Sequence, residues 1–214
     1  MKRACILLLV LGLMFTGCGN AAKQDAQKEP YIIHTKGGDI EIEGTHELRT
    51  YAEILAKNTE EGACYAFVRV AGSEEQVFLV SDHYFILNTE GGREDYVTSR
   101  AAAYMLEENG NVCFLGELQS EMASFTINID QLGYLYSAET DKVTCWAIDA
   151  EKNKLVAKEG AYRESKAGEL SFKYFNEETG GEIEEMHSES AIQSMHRKNG
   201  GASSIRFIPL IWYD

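Results

Sequence analysis

The chain has 214 residues, of which 20 are Lys or Arg and 34 are Asp or Glu, for a net charge of −14 at pH 7. That balance excludes nucleic acid as a partner, because phosphate binding rests on neutralisation by Lys and Arg. The length suits one good hydrophobic core or two small ones. Its two prolines, Pro30 and Pro209, leave no proline-rich linker inside the folded part.

Lys2 and Arg3 precede an almost unbroken apolar run from Ala4 to Phe15. A helix needs about 20 apolar residues to cross a hydrocarbon layer of ~30 Å, so the run is too short to span. A positive start, a short apolar core and small residues after it describe an export signal. Phe15-Thr16-Gly17-Cys18 resembles the lipobox of bacterial lipoproteins, a resemblance confined to residues 1–18. It implies that the Cys18 sulfur receives a diacylglyceryl group and that cleavage before it removes residues 1–17 as a signal peptide. Two acyl chains, at ~0.8 kcal/mol per buried methylene, anchor stably where one is marginal.

Cleavage removes two of the 20 basic residues and no acid, leaving 18 against 34 and a net charge of about −16. An anionic lipid surface repels such a chain, so the anchor at Cys18 must hold it at the membrane. Residues 19–29, GNAAKQDAQKE, contain no large apolar side chain and read as a flexible tether with a reach of at most ~35–40 Å. The expected organisation is a signal peptide at 1–17, lipidated Cys18 with its tether over 18–29, and a folded domain over 30–214.

In chain order, alternating or continuous apolar runs predict strands at 31–35 and 39–43. Thr45 can cap a helix with Leu48, Tyr51, Ala52 and Leu55 on one face, ending at Asn58. Strands follow at 64–71, 77–81 and 83–88. The segment 94–108, EDYVTSRAAAYMLEE, is acidic at its start and Ala-rich, and predicts a second helix ending at Asn109-Gly110. Further strands are expected at 112–118, 124–130, 143–149, 154–157 and 170–175. A third helix is expected over 182–198, then a last strand over 205–213, where Pro209 requires an edge or a bulge.

These elements make an α+β domain of mostly antiparallel strands with about three helices. Two passages run in parallel: HYFILN-TEGG, acidic helix, NG, strand, and SFKYFN-EETGG, acidic helix, NGG, strand. Cys64-Tyr65-Ala66 likewise parallels Cys145-Trp146-Ala147. Two tandem copies of one small α+β unit, over about 30–120 and 121–214, account for this. Chance likeness among short strand–turn–helix segments accounts for it equally well.

No phosphate-binding loop, dinucleotide fingerprint or nucleophile elbow occurs in the chain. Ser81-Asp82-His83 has the residue types of a catalytic triad, but strand neighbours point to opposite faces and should not converge. Glu184 and His187 have the helical i, i+3 spacing of metal-binding bundles, yet Glu185 and Glu189 beside them read as a solvated acidic face, with His196 near the helix end. Residues 149–153, DAEKN, superficially match a calcium loop but lack its required Gly and terminal Glu, so a polar hairpin is expected. Gly91-Gly92 and Gly180-Gly181 read as turns, since the acids after them would repel an anion. Phe207, Trp212 and Tyr213 are expected in the core. Cys64, Cys113 and Cys145 read as buried inert thiols, with one Cys64–Cys145 bridge left open after export.

No cofactor or metal is called for, and Cys18 is the one site residue assigned. The expected function is a membrane-anchored extracytoplasmic lipoprotein acting as a non-catalytic binding or interaction module, with an envelope protein as a candidate partner. The alternatives are an envelope hydrolase using surface carboxylates and a small-ligand or cation sensor. Replacing Cys18→Ala should abolish metabolic palmitate labelling and release the chain from the membrane fraction; unchanged labelling would remove the anchor from the account.

Overall fold

The computed structural model describes residues 31–35, 38–42, 50–57, 62–88, 92, 94–121, 125–166, 168–181, 183–186 and 188–210. Cys18, the leader and the tether, together with Thr45, Leu48, Asn58, Gly91, Glu182, His187, Trp212 and Tyr213, lie outside the described residues.

Period-two alternation builds the architecture. In β3 (Cys64–Arg69) and β4 (Gln76–Ser81), Cys64, Ala66, Val77 and Leu79 face one core, while Tyr65, Phe78 and Val80 face another. Strands buried on both faces read as continuous apolar runs, which is why these two were plain in the sequence. They join β7 (Arg100–Leu106), β8 (Val112–Gln119) and the C-terminal β16 (Ile208–Pro209) in a five-stranded sheet of order β16-β3-β4-β7-β8. Every pairing is antiparallel. Pro209 sits on an edge strand, where its missing N–H breaks no internal ladder.

The second sheet has seven strands, again antiparallel. Its order is β14 (Glu184–Met186), β13 (Glu169–Asn176), β12 (Lys154–Lys166), β11 (Lys142–Asp149), β10 (Leu135–Glu139), β9 (Asn128–Ile129) and β15 (Ser203–Ser204). Two separate hairpins pair β1 (Tyr31–Thr35) with β2 (Gly38–Ile42) and β5 (Phe85–Asn88) with β6 (Glu94–Val97).

The two large sheets pack face to face. Val77, Leu79, Ala103 and Leu115 of the first meet Leu135 and Ile148 of the second, with Ile127, Ile205 and Phe207 closing the sides of this shared core. Each outer face carries one helix. On the first sheet, α1 (Ala52–Lys57) and the preceding Tyr51 cover Tyr65 and Phe78. On the second, α2 (Ser190–Gly201) lays Ala191, Ile192 and Met195 over Tyr136, Val143, Cys145 and Ala161. The layers therefore run helix, sheet, sheet, helix.

Backbone, not side chain, stitches the sheets at one point. Ala71, in the β3–β4 turn, donates its N–H to the Gly133 carbonyl at 2.9 Å and accepts from the Ile148 N–H at 2.8 Å. Gly72 sits at φ +85°, and a Cβ there would lie 2.1 Å from the Ile148 carbonyl oxygen. Gly133, at φ +86°, would place a Cβ 2.9 Å from the Arg69 carbonyl. Only glycine tolerates both the left-handed backbone and the approach.

The mostly antiparallel α+β class holds, but the helix count does not. Two α-helices and one 3₁₀ turn (Glu177–Thr179) occur among the described residues. The expected helix over 94–108 is instead β6 and β7, separated by Thr98-Ser99. Its alanines are small because space is short: Ala101 and Ala103 lie in the inter-sheet core and Ala102 packs towards α1. Tertiary fit outweighs the helix preference of alanine. The helix expected over 182–198 begins later, since 184–186 forms β14, and runs through Gly200 to Gly201. The passages matched as parallel, 94–106 and 190–201, thus differ in structure. A Cys64–Cys145 bridge is also corrected: both thiols are free and occupy different cores.

Substituting Gly72→Ala should cost roughly 3 kcal/mol or more through left-handed strain and the clash with β11. A urea midpoint within experimental error of the parent's would show that the turn can relax.

Candidate functional site

A cleft of ≈ 770 Å³ opens between the outer face of the seven-stranded sheet and the C-terminal end of α2. A β-bulge makes it. Cys145 pairs with Glu159 but Trp146 pairs with Ala157, so Lys158 is the extra residue and the two neighbours Lys158 and Glu159 both line the cleft. Bulges re-aim side chains in this way, and they recur beside functional sites.

The helix end is pinned from below. The buried Asn128 side chain donates to the Asn199 carbonyl at 3.2 Å and to Asn199 Oδ1 at 2.8 Å. That contact sets Lys198 over the bulge, where its Nζ meets Glu159 Oε1 at 2.6 Å and Oε2 at 2.5 Å. The Tyr174 hydroxyl donates to the same carboxylate at 2.8 Å, and Asn176 Nδ2 donates to Tyr174 Oη at 3.3 Å. Burial works against the Lys198 charge, but Glu159 outweighs it and raises the ammonium above its ordinary value. A cation in the last turn also suits the helix dipole.

Around this pair stand a second ion pair, Lys158–Glu177 at 2.5 Å, and an acid whose bonds are filled. Asp130 Oδ1 accepts from the Leu132 and Tyr134 N–H groups, and Oδ2 accepts from the Tyr136 hydroxyl at 3.2 Å. Among the described residues, Arg197 and Glu178, both exposed at the cleft, have no ion-pair partner. Cys145 is no nucleophile: burial pushes its thiol up to about 11, against a smaller lowering by the Tyr136 hydroxyl. At neutral pH it is protonated and inert.

The second polar cluster contains the residues Ser81, Asp82 and His83. The expected divergence does not hold: β4 ends at Ser81, so Asp82 and His83 are not strand neighbours. All three side chains meet, with Ser81 Oγ 3.5 Å and Asp82 Oδ1 2.9 Å from the same ring nitrogen, His83 Nδ1. That arrangement leaves no separate nitrogen for a serine and so is no triad. Ser81 Oγ accepts from the His83 N–H at 3.3 Å and lies 3.0 Å from Thr98 Oγ1, tying the end of β4 to the segment before β7. A different line does form. His83 Nδ1 is 2.9 Å from Asp82 Oδ1, and Nε2 is 3.4 Å from the hydroxyl of Ser99, a residue that no local motif joined to the other two.

Arg100 disarms that line. Its Nε donates to Asp82 Oδ1 at 3.0 Å and lies 3.2 Å from His83 Nδ1, and its Nη2 pairs with Asp82 Oδ2. Burial works to raise the Asp82 carboxyl, but hydrogen bonds from Arg100 and His83 outweigh it and hold the group below the ordinary Asp value. A carboxylate already neutralised by a guanidinium gives little to an imidazolium, and Ser99 is only 5% exposed.

The other sequence candidates fall into structural roles. Glu184 lies in β14 opposite Tyr174, so its helical spacing to position 187 does not exist. His196 Nε2 reaches the Thr140 carbonyl at 3.3 Å and its ring lies beside Phe125. Asp149 Oδ1 accepts from the Glu151 and Lys152 N–H groups in the expected hairpin. Gly180 ends the 3₁₀ turn at φ 109°, and Phe207 is buried. Among the described residues, no group of three or more His, Cys, Asp or Glu side chains could hold a metal ion.

The fold and site together define a helix-flanked antiparallel β-sandwich with an ion-paired cleft on one outer face. The chain matches no family model, no curated protein and no solved structure.

A fluorophosphonate probe, which phosphonylates an activated serine hydroxyl with loss of fluoride, should leave Ser99 unlabelled at neutral pH. Labelling lost in both Ser99→Ala and His83→Ala would instead make the Asp82–His83–Ser99 line a working catalytic set.

Proposed function

We propose that this chain is an extracytoplasmic lipoprotein, held to the cell membrane by acyl chains on Cys18, whose folded region is a non-catalytic binding module. The α2 cleft takes a small zwitterionic ligand. One observation carries the reading: a cleft of ≈ 770 Å³, lined by both charge signs, leaves one guanidinium and one carboxylate uncommitted. Its volume falls in the ~300–1,000 Å³ range of small-molecule sites. Arg197 suits a ligand carboxylate in its planar fork, and Glu178 an ammonium group. Tyr134, Tyr136 and Leu132 supply the apolar wall.

The membrane address is supported by the positive start, the short apolar run and Gly17-Cys18 in the first 18 residues. No helix among the described residues is long and apolar enough to cross a membrane. A duplicated origin is a further proposal. It is supported by the likeness of Cys64-Tyr65-Ala66 in β3 to Cys145-Trp146-Ala147 in β11, each strand leading into an antiparallel hairpin, and superposition of residues 39–118 on 124–213 tests it.

Calorimetric titration of the detergent-solubilised lipidated chain with free amino acids and dipeptides tests the cleft. Saturable binding is expected, weakened roughly tenfold in Arg197→Ala, the loss of about one charge-assisted hydrogen bond. Heats of dilution alone across the panel would end the proposal.

A further inference from the structure

The outer face of the five-stranded sheet is covered unevenly. Tyr51 and α1 lie over β3 and β4, where Tyr51 stacks on Phe78 with ring centroids 4.3 Å apart. Among the described residues, Ala102, Tyr104 and Val112 of β7 and β8 reach that cluster, while Phe114, Glu117 and Gln119 on β8 are exposed. Residues opposite each other in an antiparallel pair share a face, so the pairs Tyr104–Phe114, Ala102–Glu117 and Arg100–Gln119 form one continuous strip. Phe114 is 51% exposed, with Tyr104 beside it at 5.3 Å and an interplanar angle of 55°. Further along, a depression of ≈ 250 Å³ is lined by Asp82, Arg100, Glu117 and Gln119.

The chemistry of the strip is specific. At one end lies an exposed aromatic face, and at the other are planar polar groups able to make paired hydrogen bonds. Among the described residues, the Glu117 and Gln119 side chains make no hydrogen bond or ion pair, while Arg100 and Asp82 are held rigid by each other. Burial raises the Tyr104 hydroxyl and the Glu117 carboxylate adds to the effect. From Phe114 to Gln119 the strand covers at most about 17 Å at ~3.3 Å per residue.

We propose that this strip binds a short neutral oligosaccharide. A pyranose presents a flat C–H face and a rim of hydroxyls, which matches an exposed ring followed by uncommitted carboxylate and amide groups. A net charge of −14 disfavours an anionic glycan. An extended peptide pairing with the β8 edge fits less well. The register shifts at Ala103/Tyr104, and Gly116 sits at φ 142°, so the edge ladder is interrupted midway.

The test titrates the full lipidated chain in detergent with soluble β-1,4-linked glucose and N-acetylglucosamine oligomers of increasing length, followed by calorimetry. Saturable binding to at least one series is expected, at least tenfold weaker in Phe114→Ala and severalfold weaker in the isosteric Glu117→Gln. Arg197→Ala should leave it unchanged, which separates this strip from the α2 cleft. Thermal midpoints check that each variant folds, and Glu117→Gln carries the test if Phe114→Ala does not. Absence of saturable binding, equal affinity in Phe114→Ala or Glu117→Gln, or binding of extended peptides alone would overturn the proposal.

Discussion

The close approach of the β3–β4 turn to the second sheet is the constraint on which the rest depends. Two hydrogen bonds from Ala71, one to Gly133 and one from Ile148, lock the sheets where side chains could not fit. With the sheets held at that distance, Leu79, Ala103, Leu135 and Ile148 pack together between them. Each sheet then has an outer face to cover, and one short helix is enough for only part of it. The two proposed binding surfaces are the parts left over.

The charge arrangement follows the same layering. Among the described residues, Asp95, paired with Arg206, is the one buried charged side chain, and the other ionised groups named here gather on the outer faces and at strand ends. Where they are partly enclosed they come in committed groups, as in Glu159 with Lys198 and Tyr174, or Asp82 with Arg100 and His83. Such groups are rigid, since removing one member leaves the others unpaired. The uncommitted groups Arg197, Glu178, Glu117 and Gln119 stand beside them, placed by a rigid frame but open to a ligand. Burial keeps the thiols out of this chemistry, Cys64 up to about 12 and Cys145 up to about 11.

Most strands were legible because burial on two faces leaves an unmistakable apolar run, as in 64–69 and 76–81. The Ala-rich segment 100–106 was misread because its alanines answer a packing limit between sheets, and a propensity scale cannot see that limit. Lys158 and Glu159 carry no local signal at all. They act together only because a bulge opposite Cys145/Trp146 turns consecutive residues to one cleft. Ser99 was missed as a neighbour of His83 for a similar reason: the two are 16 residues apart and meet across a loop.

Residue order by itself determined the acidic character and made most of the strands legible, and it carries the pattern that resembles an export signal ending at Cys18, because each depends on local composition and spacing. Which strands pair, which face each helix covers, and which charges remain uncommitted were decided by tertiary structure. Those outcomes depend on contacts between residues tens of positions apart, and no window of sequence contains both partners.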